Sequence, residues 1–172
     1  MENLETYLNK IGAIVGEPVA LHVGNRDGTF TKLTKTPAEL DQLQIGSYLF
    51  HKFTGVIAGA NGPIIQYLVK TLSPNEYTIA QFRLTQFTGC CAFMFSTSTA
   101  VSAKWQNKGI GTILMGLKQY ISKAANFSAL VVTDKKSNLA EVGLLRKCGF
   151  RELYEKLNRR TGNTVIMWIK EW

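Results

Sequence analysis

Six consecutive residues, Gln106-Asn107-Lys108-Gly109-Ile110-Gly111, join two dissimilar patterns in this chain. Before them, Phe93 to Ser102 passes from apolar to polar and reads as a strand. After them, Ile110, Ile113, Leu114, Leu117 and Ile121 recur at helical spacing. A strand that turns through two close glycines into a helix builds an anion cradle. Glycine lets the backbone approach a ligand with no Cβ in the way. The first amides of a helix have no internal partners and point at the turn, where the helix dipole adds partial positive charge. The ligand expected of such a turn is a pyrophosphate.

Two familiar phosphate loops do not fit. A G-x-G-x-x-G dinucleotide fingerprint needs a third glycine where Leu114 stands, and more strand–helix units downstream than the remaining residues supply. A Walker loop needs Gly-Lys-Ser/Thr, which is absent. No metal site is expected. The two histidines, His22 and His51, lie far apart. The three cysteines are a vicinal pair, Cys90 and Cys91, and a distant Cys148, which reads as buried thiols rather than a disulfide framework or a zinc site.

The elements that must position the cradle are clearest in the C-terminal part. The patterns predict a strand over Cys90–Val101, a helix over Gly109–Ala124, a strand over Ala129–Thr133 and a helix over Asn138–Cys148. A hairpin with arms Phe150–Leu157 and Thr164–Trp168 follows, turning near Gly162-Asn163. Upstream, residues 2–13 form a helix with Leu4, Tyr7, Leu8 and Ile11 on one face. Thr36 and Pro37 start a short helix to Leu43. Tyr48–Ala58 is strand-like, Asn61-Gly62-Pro63 marks a turn, and Tyr77–Phe87 alternates as a strand. Ile64–Leu72 fits helix and strand equally. Strands followed by alternating helix and strand, closed by a hairpin, imply an α/β sheet of mixed direction.

The bulk numbers bound the setting. A chain of 172 residues, 45% hydrophobic and 19% charged, is expected to be one domain with its own core. No apolar run approaches the roughly 20 residues of a membrane helix. The N-terminal Met1-Glu2-Asn3-Leu4-Glu5 is acidic where a secretory signal would be basic, so a cytoplasmic setting is the default. The net charge of +8 is lopsided. Residues 1–103 carry 7 basic and 7 acidic residues, whereas residues 104–172 carry 13 basic and 5 acidic. The whole excess accompanies the cradle, which suggests a polyanionic ligand or partner, a solvated basic face being the alternative.

The stretch Ala100-Val101-Ser102-Ala103-Lys104-Trp105-Gln106-Asn107-Lys108-Gly109-Ile110-Gly111-Thr112 resembles the GNAT superfamily of acyl-CoA-dependent N-acetyltransferases. The family hallmark, [Q/R]-x-x-G-x-[G/A] between a strand and the following helix, is Gln106-x-x-Gly109-x-Gly111 here. A second family block, N-x-x-A-x-x-L-Y-x-x-x-G-F, is matched at Asn138, Leu144 and Gly149-Phe150. The resemblance covers residues 90–172 well and 1–89 poorly. It implies a single domain with a mixed, mostly antiparallel central sheet flanked by helices: a CoA-binding half at 90–172 and an acceptor-side half at 1–89. It also implies acetyl-CoA as co-substrate. The amides of Asn107, Lys108, Gly109, Ile110, Gly111 and Thr112, beside Gln106, would bind the CoA pyrophosphate. Thr99, Ala100 and Val101 would pair with the pantetheine arm like an added strand, an amide near Val101 stabilising the oxyanion. Asn138 would touch pantetheine while capping its own helix, and Gly149 serves as a helix C-cap.

The resemblance breaks at two positions. The family tyrosine often assigned to protonating the departing thiolate falls on Leu145, which has no proton to give; a thiolate of cysteine-like pKa leaves with little help. Cys148 and Tyr154 are its neighbours in sequence. The carboxylate that several members use as base falls at about Phe95, and Glu76 is the sole acidic residue between Asp41 and Lys104. Thr97 and Thr99 share a face with Phe95 by strand alternation and are candidates to hold a water, ordinary strand threonines being the alternative. His51 is a third catalytic candidate. Deprotonating a lysine amine at neutral pH costs roughly 4–5 kcal/mol, against about 1–1.5 kcal/mol for an α-amine, so a site without an evident base suits an acceptor of low pKa. Lys156, Arg159 and Arg160 at the hairpin tip suit an acidic or phosphate-bearing acceptor. The expected activity is transfer of an acetyl group to an amine. The alternatives are a nucleic-acid-directed enzyme acting on tRNA or a base, and a non-catalytic acyl-CoA-binding module. A homodimer is left open.

Overall fold

Asn3 starts the first helix. Its side chain accepts from the Thr6 amide at 2.9 Å, and α1 (Leu4–Val15) runs to Gly16, whose left-handed φ of 85° ends it. The computed structural model describes residues 2–24, 28–33, 64–87 and 90–172. The expected helix from Pro37, the strand-like run Tyr48–Ala58 and the turn at Asn61-Gly62-Pro63 lie outside the described residues. β1 (Val19–Gly24) and β2 (Phe30–Lys32) follow, then β3 (Ile64–Thr71), β4 (Thr78–Phe87) and β5 (Cys90–Val101). A 3-10 turn at Ala103–Trp105 leads to α2 (Ile110–Ala124), β6 (Ala129–Lys135), α3 (Leu139–Lys147), β7 (Arg151–Leu157) and β8 (Thr164–Glu171). No helix among the described residues is long and apolar enough to cross a membrane.

The eight described strands form one sheet in the order β2-β1-β3-β4-β5-β6-β8-β7. β5 and β6 are parallel, joined through α2; every other pairing among the described strands is antiparallel. The ambiguous Ile64–Leu72 is strand, and the sheet is mixed and mostly antiparallel as expected.

The three described helices share one face of the sheet. Leu4 and Ile11 of α1, Ile110, Leu114, Leu117 and Ile121 of α2, and Val142 and Leu145 of α3 join Phe82, Leu84, Met94, Leu130, Val132 and Trp168 in one buried cluster. α1 approaches α2 closely because position 116 is glycine: a Cβ there would lie 2.6 Å from the Tyr7 ring. The opposite face carries a smaller cluster of Ala129, Val131 and Ile169 with Phe93, Phe95 and Met167 against it. Alternation along β5 and β6 thus divides the residues flanking the site between the two faces.

Candidate active site

The parallel pair is short. Phe93 to Ser96 of β5 match Ala129 to Val132 of β6, and there the pairing stops. Beyond it β5 stays with β4, Thr99 opposite Phe82 and Val101 opposite Ala80, while β6 stays with β8, Thr133 opposite Met167 and Lys135 opposite Val165. The two strands part within a continuous sheet and leave a wedge with a backbone edge on either side.

A β-bulge accompanies the parting. Leu84 pairs with Ser96 and Phe82 with Thr99, so a step of two residues along β4 is matched by three along β5. Ser98 takes a left-handed φ of 43° at this point. The extra residue resets the alternation. Ser96 and Thr99 both lie opposite residues of the helix-side core, Leu84 and Phe82, whereas Phe95 packs on the other face. The expectation that Thr99 shares a face with Phe95 is therefore corrected: simple alternation fails across the bulge, and Thr97 lies exposed within it. His51 lies outside the described residues.

The cradle sits at the wide end of the wedge. Asn107 and Gly109 are both left-handed, with φ of 60° and 86°, and Gly109 is the residue before the first turn of α2. A Cβ at Gly109 would meet nothing within 4 Å, so the space in front of this turn is open. Among the described residues the amides of Asn107, Lys108, Gly109, Ile110 and Gly111 donate to no protein acceptor, while the Thr112 amide donates to the Gly109 carbonyl at 3.1 Å. Thr112 thus leaves the expected run, and five successive donors remain. Successive free amides at a helix N-terminus are the donor set of a diphosphate site, so the residues present fit the pyrophosphate of CoA. The Gln106 side chain turns back to donate to the Val101 carbonyl at 3.0 Å, tying the cradle to the end of β5. Trp105 is buried as packing, and its ring supports the ammonium groups of Lys104 and Lys108 at 4.8 and 4.6 Å.

On the far wall, Asn138 caps α3, its side-chain oxygen accepting from the Glu141 amide at a long 3.5 Å. Gly149 ends α3 region with φ 77°, as its C-cap reading requires. Leu145 is wholly buried, so the position of the family tyrosine is core. Cys148 is half-buried, which raises its thiol pKa, and Tyr154 is exposed on the other face of the sheet's edge. There Tyr154, Lys156, Leu157, Arg159, Thr133 and Met167 line a cavity of about 580 Å³.

The helix side of the wedge holds a residue that the sequence reading missed. Lys118 of α2 is fully buried, its Nζ 2.5 Å from Thr99 Oγ1 and 5.7 Å from the centre of the Phe82 ring. Burial pushes its pKa down to about 8, with Glu141 and Cys148 opposing. Burial likewise raises Glu141, which Lys118 offsets and Asp134 reinforces. Asp134, two residues beyond Val132 on the same face of β6, has its Oδ2 buried with no partner among the described residues. The signal in the sequence was a lysine inside the apolar stripe Leu114, Leu117, Ile121, since an ammonium enters a core only with a partner.

Likenesses to known proteins agree with this geometry. Residues 31–150 match the family model described as "Acetyltransferase (GNAT) family". No curated protein matches the chain in sequence. Among solved structures, the fold is similar to an IAA acetyltransferase from Bacillus cereus (TM-score 0.61, 19% identity, covering 90% of this chain and 99% of that one). It is also similar to a GNAT family acetyltransferase from Elizabethkingia anophelis with acetyl-CoA bound (TM-score 0.60, 20% identity, covering 90% and 98%). A spermidine N-acetyltransferase from Vibrio cholerae in complex with CoA and spermine is matched over 63% of this chain and 65% of its own (TM-score 0.53, 17% identity).

The buried lysine predicts a pH dependence of stability. Below pH 8 folded and unfolded chains both carry the ammonium. Between about 8 and the unfolded value of 10.5 the unfolded chain binds the extra proton, so stability rises with pH across that window. Urea unfolding is expected to show this rise, at most about 3 kcal/mol, in the wild type and not in Lys118→Met. A wild-type-minus-variant difference that stays flat from pH 7 to 10.5 contradicts it.

Proposed function

Because the chain belongs to the acetyltransferase (GNAT) family, we propose that it transfers the acetyl group of acetyl-CoA to the nitrogen of a low-pKa amine bound on the hairpin side of the wedge. The observation that carries this reading is the run of five unpartnered amides, Asn107 to Gly111, opening onto parted strands. In this reading the cradle holds the CoA pyrophosphate, with Lys104 and Lys108 adding charge. The pantetheine arm lies along Thr99, Ala100 and Val101 as an added strand, and Asn138 faces it from α3. Antiparallel alternation supports this. The Ser102 amide donates inward to the Ile79 carbonyl at 2.8 Å, so the backbone groups of Thr99 and Val101 face the open edge, where Gln106 already reaches the Val101 carbonyl.

The step itself needs little beyond placement. The acceptor nitrogen attacks the thioester carbonyl, an edge amide of β5 at Thr99 or Val101 stabilises the oxyanion, and water in the wedge takes up the amine proton. Among the described residues no carboxylate stands where the family base falls, at Phe95, which packs against Val131 and Ile169. This supports an acceptor that gives up its proton easily, an α-amine or a nucleobase-type amine. Lys156 and Arg159 in the lining of the 580 Å³ cavity support an acceptor bearing an acidic or phosphate group. The charge excess in residues 104–172 favours a second reading, a nucleic-acid acceptor, whose mark is retention on polyanions that falls steeply with salt.

Calorimetry with acetyl-CoA tests the cradle. Gly109→Val keeps the fold, since its Cβ meets nothing, but pays backbone strain of about 1–2 kcal/mol and fills the turn. Its affinity is expected to fall about tenfold or more; equal affinity contradicts the assignment. On a panel of amines of graded pKa, turnover is expected to be fastest near pKa 8, and fastest turnover on a lysine side chain contradicts the acceptor class.

A further inference from the structure

Lys118 and Thr99 form a polar contact where the fold otherwise supplies core. The lysine lies on the face of α2 that buries Leu114, Leu117 and Ile121, and its ammonium reaches the sheet at Thr99, the first residue of β5 beyond the bulge. An ammonium has three donors and no acceptor, so Thr99 Oγ1 must accept from Lys118. The threonine's own proton is then directed away from the lysine. Thr99 is exposed and lies past the last β5–β6 pair, so that proton is free to point into the wedge. Across the wedge, the position that could offer a tyrosine hydroxyl is Leu145, wholly buried.

We propose that Thr99 is the proton donor to the sulfur of the departing CoA and that Lys118 is the positioning residue that orients and recharges it. This rests on the reading that CoA lies along β5. As the tetrahedral centre collapses, the carbon–sulfur bond breaks and its electron pair passes to sulfur. Sulfur takes the Thr99 hydroxyl proton, and Thr99 takes one from Lys118 Nζ, leaving a neutral amine. The proton released by the acceptor nitrogen returns to Lys118 through the same hydroxyl from solvent, so nothing else is consumed. The groups facing Lys118 are Thr99 of β5, the Phe82 ring of β4, Glu141 of α3 and Cys148 after it, with Asp134 of β6 acting on Glu141. A lysine pKa of about 8 stands close to that of a free thiol, near 8.5, which allows the proton to move either way.

The test needs no acceptor. Coenzyme A in its free thiol form is bound to the full chain and its thiolate titrated by ultraviolet absorbance, with binding followed separately by calorimetry. In the wild type and Thr99→Ser, the bound thiol pKa is expected to fall by about one unit or more below that of free CoA. In Thr99→Val and Lys118→Met it is expected to return to the free value, read at CoA concentrations that calorimetry shows to saturate each protein. Thr99 is exposed, so Thr99→Val remains informative even if the lysine variant misfolds. Wild-type protein that binds CoA with an unshifted thiol, or variants that shift it as the wild type does, overturn the proposal. Wild-type protein that binds no CoA overturns the reading beneath it first.

Discussion

The structure turns on one constraint: a strand's backbone groups must find partners, and β5 runs out of them on one side after Ser96. The parallel register with β6 lasts four residue pairs. Past it each strand keeps its outer neighbour, so the sheet stays continuous around an opening instead of fraying. The bulge at Thr97 and Ser98 gives β5 the bend that this parting requires. One edge carbonyl, that of Val101, is met by the Gln106 side chain. The rest of the edge and the amides of Asn107 to Gly111 leave open backbone groups on either side of the turn at Ala103–Trp105, where the Ser102, Trp105 and Gln106 amides are bonded within the protein. A ligand that brings both amides and phosphates satisfies both sets, and the family to which the chain belongs uses one.

The same parting decides what the two faces can do. On the helix side, α1, α2 and α3 seal the main core, and the opening brings Thr99, Lys118, Asp134 and Glu141 to one end of it. A buried ammonium is unfavourable unless bonded, so the fold tolerates Lys118 because Thr99 accepts from it and Glu141 opposes the loss of its charge. On the other face, Thr133, Met167 and the β7–β8 hairpin line an open cavity whose cations are Lys156 and Arg159. In the proposed reading, carrier chemistry and acceptor recognition fall on opposite sides of a single sheet.

Much of this was legible in residue order. The cradle's turn and its helix follow from glycine placement and from a 3.6-residue period that one-sided burial preserves, while β6 is legible as a short apolar run between two helical patterns and the hairpin from its Gly162-Asn163 turn. β1 was not legible: Val19 to Val23 are all buried, so no alternation marks them, and β2 has only three residues. The face of Thr99 was misread because a one-residue bulge inverts alternation without leaving a signature in composition. Lys118 was overlooked because a stripe of apolar residues reads as helix whether or not one member is charged. Asn138 and Gly149 were read correctly as caps because capping is local and depends on residue type.

In the proposed function, the amides of residues 107–111 and the edge of β5 together receive a diphosphate-bearing thioester carrier. Amide proton–nitrogen NMR spectra of the isotopically labelled chain, recorded while CoA is added, test it most directly. The largest shifts are expected at Asn107 through Gly111 and at Thr99 and Val101, with the amides of Asn107 to Gly111 moving downfield as they acquire acceptors. Saturation by CoA with those resonances unmoved, and with the shifts confined to the β7–β8 hairpin, contradicts it.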